Sequence, residues 1–270
     1  MDIHHDVVFN LNFLCKTYDS MNKALTSTKN RLHALNPEAL AKHQDVVGRL
    51  ESEKGRIGRR ILKECEFWPV YTDWMQHVPG AGPYVCGNMI LLYYYRFQPI
   101  CTKCEGGTLN IVKGEGMVCD SCGKTVKDGL LKHRVEEKDF PRISNFWSYM
   151  GVGINGDGKK PKKAKGSACN WSSKGRAILW QFGEGSIKLP HSLYREYYDK
   201  VRRKRDRTHP DASKMHKLNM ARHETGKLFA AHFWLIARGL DGKEVTAPYA
   251  DTIMGHTVHK PYYFKEPECQ

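Results

Sequence analysis

Cys101, Cys104, Cys119 and Cys122 form two C-x-x-C pairs separated by fourteen residues. Four thiolates at that spacing can close a tetrahedral metal site, and zinc suits four sulfurs. Each pair runs on into small residues, Gly106-Gly107 and Gly123, that let backbone N–H groups turn toward sulfur. The residues between, 108 to 118, are enough for one β-hairpin. A redox C-x-x-C needs one pair, and here there are two. The spacing predicts a structural zinc ribbon over 101–126, with no ligand position left for water.

The second feature is positive charge. Lys and Arg number 43 against 29 acids, a formal charge of +14 with a pI near 9.3. Such an excess points to a polyanionic partner, nucleic acid before a membrane surface. Lys159, Lys160, Lys162, Lys163, Lys165 and Lys174 crowd the glycine-rich stretch 151–175, with Asp157 as its acid. A flexible segment of this kind neutralises phosphates and cannot pack a core; a solvated linker is the other reading. Arg176 follows directly. Arg202, Arg203, Lys204, Arg205 and Arg207 crowd the end of a helix expected to open at Ser192. That helix is expected to turn Leu193, Tyr197 and Val201 inward.

Val78-Pro79-Gly80-Ala81-Gly82-Pro83 reads as a tight Gly-x-Gly turn between two apolar helical stretches. It has the look of a helix-hairpin-helix motif, in which Gly80 and Gly82 let backbone N–H groups approach a phosphate. An ordinary glycine-punctuated turn is the competing reading. Such a motif grips backbone without reading sequence. His209, His216 and His223 recur every seven residues and can share one helix face. Helical metal ligands prefer steps of three or four, so these histidines read as a polar DNA-facing or buried hydrogen-bonding face.

The elements that position these groups are mostly helical. Residues 1–66 hold an N-terminal segment and, from about residue 20, a helical arm with Leu25, Leu32, Leu35, Leu40, Val47, Leu50, Ile57 and Ile61 at heptad-like steps, broken at Asn36-Pro37. An antiparallel hairpin or an intermolecular coiled coil, and so a homodimer, would satisfy that pattern. Residues 67–100 carry the glycine turn, 101–126 the ribbon, and 127–245 a helical domain containing the basic loop. In that domain Ile143, Phe146, Trp147 and Met150 mark one amphipathic helix and Ile178, Leu179 and Phe182 another. A last helix is expected from about Asp211 to Arg238, stopped by Gly239, with Leu228, Phe229, Leu235 and Ile236 inward. The tail, 246–270, has aromatics without a period, read as packing on the domain. The fold class expected is mainly α with a small inserted β zinc ribbon. No apolar run approaches a bilayer span, and nine cysteines, an odd number, argue for a reducing compartment such as a prokaryotic cytoplasm with its nucleoid.

Taken in order, residues from about 20 to 240 resemble the C-terminal half of insertion-sequence-110 family transposases, related to the Piv/MooV DNA invertases. The resemblance rests on the arm, then Val78-Pro79-Gly80-Ala81-Gly82, then a helix leading to a Gly-x-Gly turn over Phe146 to Gly153. A basic glycine-rich loop follows, then Ser173-Lys174-Gly175-Arg176-Ala177-Ile178-Leu179, similar to the family's Lys-x-Gly-Asn-x-x-Leu-Arg segment, and a closing helix over Met215 to Leu235. Two departures accompany it. The family's acidic RNase-H-like domain has no room before the arm. Asn155-Gly156-Asp157-Gly158 stands where the family places a Ser-Gly nucleophile, and Ser167, Ser172 and Ser173 lie later. The ribbon reads as an insertion.

The resemblance implies a duplex-DNA-binding protein that grips backbone and lacks its own chemistry. The alternatives are an active serine recombinase working with a partner or guide RNA, and an RNA-binding zinc-ribbon protein.

Overall fold

The computed structural model describes residues 5–34, 37–104, 106–112, 116–126, 132–154, 156, 158, 160–163, 170–245 and 260–264. Lys159, Lys165, Asp157, Ser167 and most of the tail, Tyr249 included, lie outside the described residues, as do the side chains of Leu35 and Leu40. The fold is mainly α with small antiparallel sheets, as expected. It divides into two compact units, residues 1–90 with 140–270, and residues 91–139.

The larger unit opens with α1 (His5–His33) and α2 (Pro37–Cys65), which pair with each other. Of the two readings of the heptad pattern, the structure adopts a hairpin within one chain. Leu25, Leu32, Ile57 and Ile61 are buried in its seam. Lys54, a charge at a seam position, donates to Asn22 Oδ1 at 2.7 Å and lies over the Tyr18 ring. Lys29 pairs with Glu51 at 2.6 Å farther out. The first helix starts about fifteen residues earlier than expected. Its early turns are core: Val8, Leu11, Leu14 and Cys15 are buried, and that apolar stripe overrides the interrupting charges Asp6 and Lys16, which face out.

Two short turns follow, α3 (Pro69–Thr72) and a 3-10 turn at Met75–His77, before α4 (Pro83–Tyr94). The apolar stretch ahead of the glycine turn is therefore not one helix. Trp68, Val70, Trp74 and Met75 point inward, a spacing that short turns serve and a straight helix does not. After residue 140 come α5 (Ile143–Tyr149), α6 (Ser173–Ile187), α7 (Leu193–Thr208) and α8 (Lys214–Leu240). Ser172, Ser192 and Ser213 cap the last three, accepting from the N–H of Gly175, Arg195 and His216. On α7 the inward residues are Tyr194, Tyr198 and Val201; Leu193 is exposed and Tyr197 only half-buried. The larger aromatic faces at 194 and 198 win the core. On α8, Phe229 and Ile236 are buried while Leu228 and Leu235 sit half-exposed at its margin. The helix runs through Gly239, and the positive-φ glycine that turns the chain is Gly242.

Aromatic rings fill this core. Phe182 stacks on Phe229 at 3.8 Å between centroids, and Trp74 stacks on the same ring at 5.5 Å. Trp234 Nε1 donates to Phe140 O at 2.7 Å. The described part of the tail packs here as expected: Trp74 Nε1 donates to Tyr262 O, and the Leu193 N–H donates to Tyr263 Oη.

Two glycines set the spacing of α6 and α8. A methyl at Gly183 would lie 2.5 Å from Arg222 O, and one at Gly226 would lie 2.5 Å from Leu179 O. Each helix thus lays its backbone against the other where no side chain intervenes. Gly87 instead makes room on α4 for side chains of the α1–α2 hairpin, since a methyl there would meet Cys15 Sγ at 2.6 Å and Ile61 Cγ2 at 2.9 Å.

The smaller unit holds β1 (Tyr95–Ile100) paired antiparallel with β5 (Lys132–Glu137), and a second sheet in the order β2 (Leu109–Val112), β3 (Gly116–Cys119), β4 (Thr125–Val126). Arg96 faces Glu136 and Phe97 faces Val135 across the first pair. Pro99 is tolerated because a two-stranded ladder leaves an edge on each strand.

Gly226→Ala is expected to lower unfolding stability by about 1–3 kcal/mol, because the methyl meets backbone that cannot rotate away. Gly239→Ala on the same helix, with nothing within 4 Å, should be neutral or slightly stabilising. Urea denaturation of both variants checks this.

Candidate metal centre and basic cluster

The β2–β3 hairpin lies between the two cysteine pairs, as the spacing predicts. Cys101 N donates to Gly107 O at 2.8 Å and Cys119 N to Lys124 O at 3.1 Å, closing each knuckle. Gly123, at φ 67°, takes the left-handed step that the second knuckle needs. Gly107 is required by contact, since a methyl there would overlap Cys119 Sγ. Asp120 ties the two knuckles, accepting from the Thr108 N–H at 2.8 Å while its own N–H donates to Thr108 O.

The four sulfurs converge so that all lie within 4.8 Å of one another. Cys101 and Cys122 Sγ are 3.8 Å apart, Cys104 and Cys119 Sγ 3.5 Å. A metal–sulfur bond of about 2.3 Å gives a tetrahedron with an edge of about 3.8 Å. The four cysteines therefore fit a metal ion. The Lys103 N–H lies 3.4 Å from Cys101 Sγ, and this hydrogen bond holds that thiol below its ordinary range, at about 7. Among the described side chains Leu109 is buried between the sulfurs, with Met117 and Val126 partly buried beside it. A bound metal would add folding free energy to a core of this kind.

The basic residues are spread over three segments of sequence, and the fold brings one from each together. Arg176, in the first turns of α6, is drawn inward: its Nε and Nη2 donate to Gly151 O at 2.8 and 2.5 Å, and Nη2 to Pro161 O at 2.8 Å. Its guanidinium stacks on Trp171 at 3.9 Å. Lys160 comes from the loop and Arg205 from α7, where it pairs with Glu224 at 3.1 Å. Sequence reasoning missed Lys227, which lies over the Trp147 ring at 4.2 Å. The signal was available: His223 and Lys227 are four residues apart and share a face of α8.

These cations feel one another. Although Lys160 is exposed overall, burial of its ammonium lowers its proton affinity, and Arg176, Arg205 and Lys227 lower it further against the pull of Glu224. Burial likewise lowers Lys227, again opposed by Glu224. His223 is pushed down to about 3, first by burial, then by Lys160, Lys227 and Arg176. It is thus neutral near pH 7, and both its ring nitrogens are buried with no hydrogen-bond partner. Leaving such a group unpaired costs about 1–3 kcal/mol.

The three heptad-spaced histidines do not share a face. His209 caps the end of α7, His216 is exposed in the first turn of α8, and only His223 is drawn inside. Lys174 lies in α6 rather than in the loop and pairs with Asp19 at 3.6 Å. Lys162 and Lys163 are exposed, as are Arg203, Lys204 and Arg207; Arg202 is half-buried beside Asp206. Gly80 and Gly82 are also exposed, Gly80 at φ 90°. Gly80 packs near Leu189 and Gly185, at the C-terminal end of α6. Nine residues of helix, about 13 Å, separate that end from Arg176. The glycine turn and the basic cluster are two separate places on the unit.

Among the described residues no helix is long and apolar enough to cross a membrane. No family model matches the chain, and no curated protein matches it either.

One metal ion per chain is expected by elemental analysis of the purified protein. Cys104→Ser should abolish it and open residues 101–126 to protease; metal-free protein with a protease-resistant ribbon would contradict this.

Proposed function

We propose that the chain is a nucleic-acid-binding protein that grips duplex DNA through its phosphates, with a zinc ion holding the ribbon. The carrying observation is the convergence of Lys160, Arg176, Arg205 and Lys227, from four segments, with Glu224 as the carboxylate acting on the cluster's two lysines. Cations gathered in one place raise the local potential and favour a polyanion. Lys162, Lys163, Arg203, Lys204 and Arg207 extend the charge over exposed surface, where phosphates are neutralised without sequence readout.

The turn at Gly80 and Gly82 adds a second backbone contact. Pro83 opens α4 without an N–H, leaving those of Tyr84 and Val85 at the positive end of the helix. Zinc is the metal of choice because four thiolates at tetrahedral separation suit a closed, non-redox site. It supplies structure there and no open position for chemistry. The resemblance to the DNA-binding half of insertion-sequence-110 transposases supports the same reading, and no catalytic residue is assigned. Ser172, the one candidate hydroxyl with a described partner, accepts from the Gly175 N–H at 3.0 Å as a helix cap.

Affinity for duplex DNA is expected to fall steeply with salt, about one power of salt concentration per phosphate neutralised. Replacing Lys159, Lys160, Lys162 and Lys163 by alanine should weaken binding about equally for unrelated sequences and lower that slope by roughly three. Fluorescence anisotropy over a salt series measures both. A salt-independent affinity, or binding to RNA alone, would overturn the reading.

A further inference from the structure

A cavity of about 140 Å³ lies at the meeting of α6, α8 and the loop after α5, lined by Val152, Lys160, Arg176, Leu179, Trp180 and His223. A void of about 150 Å³ admits a guest of six heavy atoms. Val152, Leu179 and Trp180 supply apolar lining, and Lys160, Arg176 and His223 add two cations and an imidazole. His223 has neither ring nitrogen hydrogen-bonded, although both are buried. Its surroundings suit a particular guest. Arg176 and Lys227 lower the proton affinity of Lys160 against the pull of Glu224, and all three cations lower that of His223. An anion would offset that mutual repulsion, and it would offer acceptors to the imidazole.

We propose that this cavity is a binding site for a single phosphoryl group, held by Lys160, Arg176 and the imidazole of His223. A phosphoryl group with its bridging oxygen, one phosphorus and four oxygens, has five heavy atoms and fits the volume. Its oxygens accept from the ammonium, from the guanidinium fixed by Trp171 and the carbonyls of Gly151 and Pro161, and from the imidazole N–H. Lys227, one turn along α8 from His223, adds charge behind the site. Trp180, part of the apolar lining, lies under the Arg222 guanidinium, 5.4 Å from its ring centroid. The site rests on the nucleic-acid reading only for the source of the group, a phosphate of the bound strand. The pocket chemistry would take free phosphate equally.

The test uses the full chain, metal-loaded, with ¹³C,¹⁵N-labelled histidine. Titration with inorganic phosphate is expected to shift the His223 ring resonances saturably and to leave exposed His191 and His216 in place. Lys160→Met should raise the phosphate Kd about tenfold or more with an unchanged melting temperature. Adding a short DNA duplex should then displace free phosphate from His223. Phosphate that fails to move His223 in the wild type overturns the site, even where the duplex binds normally. A phosphate shift in a protein that binds no nucleic acid upholds the site and overturns the nucleic-acid reading. A duplex that binds without displacing phosphate overturns the strand as the source.

Discussion

The arrangement of the larger unit hangs on the backbone contact between α6 and α8. Gly183 meets Arg222 O and Gly226 meets Leu179 O, so the two helices sit closer than side chains would allow. Three consequences follow. Phe182, next to Gly183, and Phe229, three residues on from Gly226, come face to face at 3.8 Å. Arg176 and Leu179–Trp180 on one helix are brought beside His223 and Lys227 on the other. The cavity lined by Val152, Lys160, Arg176, Leu179, Trp180 and His223 lies beside that contact.

The smaller unit solves a different problem. Among the described side chains between residues 101 and 126, Leu109 is buried with the cysteines, and Met117 and Val126 are half-covered against it, a small core to set against the chain entropy of the segment. Sulfur geometry takes over the role of a core. The close approach at Gly107, the positive φ at Gly123 and the carboxylate of Asp120 bridging the knuckles all serve to aim four sulfurs at one point. In the β1–β5 ladder Phe97 faces Val135 and Arg96 faces Glu136, cross-strand neighbours of the kind that stabilise a sheet.

The ribbon was legible because its ligands are local and their spacing has one stereochemical meaning. The cap Ser192 and the helix it opens were legible for the same reason. The β1–β5 pair was not, since its strands are separated by the whole ribbon and neither has a strong alternation. The early part of α1 was hidden by Asp6 and Lys16, charges that face outward on a helix whose other side is core. Leu193 and Gly239 misled because a leucine beside three tyrosines does not win the interior, and because a glycine in a late helical turn need not end it. The heptad of histidines suggested one face, yet His209 falls beyond a helix break. For the basic groups, the sequence displayed charge and no geometry. That Lys160, Arg176 and Arg205 meet, and that Lys227 joins them, depends on the α6–α8 contact, which is written in two glycines among 24.

Lysine footprinting addresses the central claim most directly. The chain, alone and saturated with duplex DNA, is acetylated briefly and the modified lysines are read by mass spectrometry. Protection at Lys160, Lys162, Lys163, Lys204 and Lys227, with Lys23, Lys42 and Lys63 on the α1–α2 hairpin unchanged, is the predicted result. Protection confined to the α1–α2 lysines, or none at all at saturating DNA, would contradict a nucleic-acid interface built on the basic cluster.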